Sequence, residues 1–156
     1  QPRSRGLGDV YKRQGLGGVI GNLVTGSVPE HALTKYLFYT FFLLFITIIL
    51  FVTFVHYAVL ALLICFLFGF GTFGTTPLLN SKIILSAHEA PLLASTLAAS
   101  IFNVANFIGA ILGSILLSIG LPYMTITFIS GGIIILGIIL NTVNNVYEKK
   151  HISFHN

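Results

Sequence analysis

Between residues 36 and 81 the sequence contains no Asp, Glu, Lys or Arg. A chain cannot keep 46 uncharged, mostly apolar residues soluble in any ordinary way. A membrane-crossing helix needs about 20 residues, because a rise of ~1.5 Å per residue must cover ~30 Å of hydrocarbon. The stretch is therefore too long for one crossing and suits two, with the break at His56-Tyr57. The rest of the chain repeats the pattern. His88-Glu89-Ala90-Pro91 breaks the next apolar run, and Gly120-Leu121-Pro122 forms a tight turn before the last. The predicted spans are 36–55, 57–80, 92–119 and 123–143. β-Branched residues are plentiful, but they do not alternate with polar ones, so a barrel is disfavoured. In lipid that leaves helices, whose backbone groups are satisfied within one segment. The predicted fold class is all-α, a polytopic membrane helix bundle.

Composition supports this. Charged residues are 8% of the chain, against about 25% in soluble domains. Mean hydropathy is +0.95. The net charge of +4 is mostly terminal, since Arg3, Arg5, Asp9, Lys12 and Arg13 all precede residue 15. Nucleic-acid binding needs basic residues gathered on a folded face, and none is gathered here. Cys65 stands alone in an apolar run, so neither a disulfide framework nor a metal spacing is present. His88-Glu89 is not a zinc-protease motif, because Leu92 stands where the second His is required. No span carries a polar cluster able to serve as nucleophile or base, so the reading is of a non-enzyme without cofactor or metal.

The chain divides into three. Residues 1–14 are polar, basic and aperiodic, and they read as foreign to the fold. The alternative for them is a basic tail beside a membrane segment. Residues 15–147 form the transmembrane part, in which 15–24 are about half a span and read as the end of a helix that starts elsewhere. Residues 148–156 are a polar tail. Lys35, Lys82, Lys149 and Lys150 all fall on one side of the predicted spans, and by the positive-inside rule that side is cytoplasmic.

Small and polar residues distinguish the spans. The first is bulky all round, with only Thr40, Thr47 and Thr53 as mildly polar groups, so most of its surface can face lipid. The second carries Gly69, Gly71, Gly74 and Pro77. Two readings are open: a discontinuous helix lining a cavity, or close packing on a neighbour. The third places Ser95, Ala99, Asn103, Asn106, Ala110 and Gly113 at steps of three and four, one face of a helix. Gly109 and Gly113 add a GxxxG pair, which predicts that another helix approaches here. Asn103 and Asn106 lie mid-span, either as packing amides or as direct substrate contacts.

These segments together resemble the C-terminal part of a major facilitator superfamily transporter, in the drug:proton antiporter branch that includes arabinose-efflux-permease-like proteins. The resemblance rests on HEAPLLASTLAASIFNVANFIGAILG. It contains Ala90-Pro91, the small run Leu93 to Thr96, Phe102-Asn103 and the Gly109-to-Gly113 step. GFGTFGTTPLLNSKIILSA, with Pro77, resembles the family's tenth helix. GVIGNLVTG, with Gly21, Asn22 and Gly26, resembles the end of its eighth. Two features depart from the family. The segment Gly26-Ser27-Val28-Pro29-Glu30 keeps the acid but not the base of the usual loop, and Ala98 stands where Asn is common.

The resemblance implies helices nine to twelve and part of eight, with the ninth and twelfth outermost, the tenth lining the cavity and the eleventh at the interface between halves. It implies export of a small molecule (drug, sugar or purine type) by alternating access, with protons as the coupling ion. The location implied is the bacterial inner membrane with a cytoplasmic C-terminus. The partners are the lipid bilayer, the N-terminal half of the same transporter and the transported molecule. Pathway candidates are Phe70, Phe73 and Thr76 on the second span, with Asn103 and Asn106 on the third. Packing candidates are Gly69, Gly71, Gly74, Pro77, Gly109 and Gly113. The rival reading is a stand-alone four-span structural subunit of a membrane complex.

Overall fold

The computed structural model describes residues 2–54, 56–87 and 89–154, and the side chains of 8–148 within those ranges. Val55, read above as the end of the first span, and His88, read as part of the break before the third, lie outside the described residues. So do the side chains of Lys149 and Lys150. The described chain is helical: α1 Pro2–Gly26, a 3-10 turn Glu30–Ala32, α2 Leu33–Phe54, α3 Ala58–Ser86, α4 Pro91–Ser118 and α5 Tyr123–Phe154. Four segments are long and apolar enough to cross a membrane: Glu30–Phe54, Ala58–Ser86, Pro91–Ser118 and Tyr123–Glu148. The molecule is an all-α, multi-pass membrane helix bundle.

The helix ends follow from local chemistry. Pro91 sits in the first turn of α4, where its missing N–H is not needed. At the other end of α4, Gly120 has φ 78°, the left-handed conformation that L side chains adopt only at a cost. Its N–H donates to Leu117 O at 3.0 Å, and the N–H of Leu121 donates to Leu116 O at 3.2 Å. This pair of bonds is a Schellman cap. Pro122 then opens α5, its carbonyl accepting from Thr125 N at 2.9 Å. We expect Gly120→Ala to destabilise the chain by about 1–2 kcal/mol, the cost of forcing a side chain into that conformation. A thermal melt in detergent measures it.

α3 and α5 run beyond the apolar stretches that announce them, α3 to Ser86 and α5 to Phe154. Neither extension contains a Gly or Pro to stop it. Lys82 lies in the extension of α3, where its long stem can reach polar partners while its backbone stays helical. Asn144 donates to Glu148 Oε1 at 2.9 Å, an i,i+4 bond along α5.

The core sits where α2 meets α3. Leu33, Leu37 and Leu78 form a buried cluster, with Val28, Phe41, Leu79 and Leu85 packed around it. Along α2 the buried residues are Leu33, Leu37, Thr40, Leu44, Thr47 and Ile48, a single stripe. α2 also packs on α5. The helix is thus less uniform than its bulky sequence suggests. Thr40 and Thr47 lie in the buried stripe because each hydroxyl donates within its own helix, to Leu37 O at 3.0 Å and Leu44 O at 2.8 Å. A threonine bonded this way presents a methyl group to its neighbour.

Candidate functional site

α3 is one continuous helix through Gly69, Gly71, Gly74 and Pro77. Three glycines mark places where neighbours come close. A Cβ on Gly69 would run into the backbone carbonyl of Gln14. One on Gly74 would lie 3.2 Å from Thr25 Cγ2. One on Gly71 would meet Leu44 Cδ2 at 2.8 Å, so this glycine serves the α2 side. Pro77 is half-buried beside the fully buried Leu78.

The α1 side of this seam repeats the device. Gly17, Gly21 and Thr25 are buried at steps of four. A Cβ on Gly17 would strike the Phe66 carbonyl, and one on Gly21 would strike the Phe70 carbonyl. Small residues four apart let two helix backbones approach closely. The sequence reading missed this seam, although Gly17-xxx-Gly21-xxx-Thr25 states it. α1 also passes through the compositional break at Gly15 without interruption, and the backbone of Gln14 packs against Gly69.

Phe73 is pressed against α1, since a Cβ on Gly18 would stand 2.6 Å from Phe73 Cδ2. It also lines a cleft of about 420 Å³ with Gly15, Gly18, Val19, Asn22 and Leu23 of α1. Thr76 is exposed one turn further along, its hydroxyl 3.5 Å from Thr72 O. Phe70 is half-buried, with its carbonyl against Gly21. Phe70 and Phe73 therefore lie against α1, Phe73 in one cleft with Asn22, whereas Thr76 shares only their helix.

Asn103 and Asn106 are elsewhere. α4 buries only Ala94 and Ala98, with Phe102 half-buried in line with them. Its small face is turned about 100° from that contact, one residue round the helix. Ala99, Asn103, Asn106, Gly109 and Ala110 are exposed. Cβ atoms on Gly109 and Gly113 would meet nothing within 4 Å. Among the described residues this face has no helix against it, and the cleft at Phe73 is lined by α1 and α3 alone.

A second cavity, about 280 Å³, is lined by α2, α3 and α5 with Gln14 of α1, its walls including Thr47, Ile48, Ile64, Cys65 and Ser130. Its hydroxyls are engaged within their own helices: Thr47 as above, and Ser130 to Ile126 O at 3.0 Å. Among the described residues no three His, Cys, Asp or Glu side chains gather to hold a metal.

The ends of the helices are tied by Lys82. Its Nζ donates to Thr34 Oγ1 at 3.0 Å and lies 3.5 Å from Glu148 Oε2. The start of α2, the end of α3 and the late part of α5 are therefore at one end of the bundle.

No family model matches the chain, and no solved structure matches it. The chain is similar to the uncharacterized MFS-type transporter YfhI of Bacillus subtilis (strain 168), with 34% identity over 139 residues. The similarity covers 88% of this chain and 35% of that protein, so the chain spans about a third of its relative's length. Continuous likeness over four apolar helices, in a bundle of this build, places the chain in the major facilitator superfamily of membrane transporters.

Proposed function

We propose that the chain is the C-terminal part of a twelve-helix exporter that moves a small molecule by alternating access in exchange for protons. In this reading α1 ends the eighth helix, and α2 to α5 are the ninth to twelfth. The observation that carries it is the unpartnered face of α4. Two mid-span asparagines and two glycines are costly to leave toward hydrocarbon, because the amides find no bonding partner there. Against a second helical domain the same residues permit close approach and hydrogen bonding. Phe73 and Asn22, which line one cleft, supply a second wall, aromatic and polar together, of the kind that holds small organic molecules.

Of the four acids, Glu30, Glu89 and Glu148 lie at or beyond the ends of the spans, and Asp9 lies in the polar first part of α1. A mid-membrane proton carrier would then come from the rest of the transporter. The end held together by Lys82 is the cytoplasmic one in this reading, and the membrane is the bacterial inner membrane.

The test is transport by the intact gene product in inverted vesicles, read as collapse of a proton gradient when candidate compounds are added. Asn103→Ala is expected to lower the rate about tenfold at normal expression, the order of one lost hydrogen bond in a dry site. An unchanged rate would remove Asn103 from the pathway.

A further inference from the structure

We propose that a cleft between the start of α2 and the late part of α5 binds the phosphate headgroup of an anionic phospholipid. The cleft has a volume of about 530 Å³ and is lined by His31, Thr34, Lys35 and Tyr39 on one wall and Asn141 and Asn145 on the other. An ammonium, an imidazole, two amides and a phenol are all able to donate hydrogen bonds. Among the described residues no carboxylate lines the cleft. The Lys35 ammonium stands 5.8 Å from the Tyr39 ring centroid, beside an aromatic face. Behind Thr34 lies Lys82, whose charge is balanced by Glu148. Glu30 precedes His31 in the 3-10 turn and is not part of the lining. Lys35 therefore supplies the net charge facing the cavity, and that charge is positive.

Two features favour a lipid over a free phosphate ion. The cleft lies at the ends of two membrane spans, at the depth where headgroups sit. From its mouth Phe38 and Phe42 run down α2 as a stacked pair, centroids 6.2 Å apart and planes 7° from parallel. Both are exposed, 41% and 49%, and form an apolar rail along which an acyl chain can lie. A phosphate held by Lys35 and the two amides would place its acyl chains beside that rail. Basic pockets between membrane helices recognise anionic lipids in this way.

The experiment is native mass spectrometry of the purified chain in detergent. The chain is offered an equimolar mixture of phosphatidylglycerol and phosphatidylcholine with matched acyl chains. We expect phosphatidylglycerol to be retained about fivefold over phosphatidylcholine, the effect of one lysine near a headgroup. Lys35→Gln combined with Asn145→Leu should remove the preference, and Lys35→Arg should preserve it. Circular dichroism checks that each variant is folded. Equal retention of the two lipids, or a preference that persists in the folded double variant, would overturn the proposal. So would displacement of phosphatidylglycerol by excess inorganic phosphate, which would assign the site to the free ion.

Discussion

Gly21→Leu is expected to part α1 from α3 and to lower the melting temperature of the detergent-solubilised chain by many degrees. The Cβ alone would strike the carbonyl oxygen of Phe70, with Phe70 Cα at 2.9 Å. Backbone cannot rotate aside as a side chain can, so the two helices must move apart. Gly17 and Gly69 then lose their close approach as well, since all three serve one seam. Overpacking of this kind costs about 3 kcal/mol at the upper end of the usual range, and more where backbone is struck. Gly71→Ala should be milder, because its nearest neighbour is the side chain of Leu44. Gly109→Leu is the contrast. It meets open space in this chain, and replacing a helical glycine there should be neutral or stabilising by up to about 1 kcal/mol. Equal losses from Gly21→Leu and Gly109→Leu would contradict the assigned seam.

Leu78→Ala is the second large effect. Leu78 is fully buried and packs with Leu33 and Leu37, where α2 and α3 meet. Truncation of a buried leucine in a soluble protein costs about 2–5 kcal/mol, part from transfer to water and part from the cavity left behind. In a membrane the transfer part shrinks, because lipid tails are as apolar as leucine. The lost dispersion contacts remain. The expected cost is therefore near the lower end, about 2 kcal/mol. Leu140→Ala, at a position 60% exposed, should shift the melt far less. A comparison of the two melts in one detergent decides it.

The spans were legible because hydrocarbon thickness imposes a length that no tertiary detail can alter. Their ends were less so. Helix α3 continues to Ser86 past Lys82, since a backbone that has begun a helix continues until something stops it. Packing partners were harder still. The α4 periodicity marks a face, but it does not say whether the mate belongs to this chain. Here the occupied face is the one through Ala94 and Ala98, one residue round from the Asn103–Gly113 face. In α2, Thr40 and Thr47 looked like weak polarity and turned out to lie in the packed stripe, which their internally satisfied hydroxyls permit, while Thr53 is exposed. The α1 seam was written in plain glycine spacing, but spacing alone does not say which helix fills it. Of the pathway candidates, Phe70, Phe73 and Thr76 share a helix, and Phe70 and Phe73 share α1 as a neighbour. The asparagines stand apart on α4, and nothing in the sequence could have shown that separation.

The account depends on the Asn103–Gly113 face of α4 lining a water-accessible path inside a larger transporter. Thiol labelling tests this most directly. The intact gene product, with Cys65→Ser as background, receives Asn106→Cys in one variant and Ile108→Cys in another. A charged, water-soluble thiol reagent reacts with the thiolate, which forms in water and not in hydrocarbon. The account predicts rapid labelling at position 106 in membrane vesicles and slow labelling at 108. Equally slow labelling at both positions, in protein that is folded and inserted, would show that this face meets lipid and would contradict it.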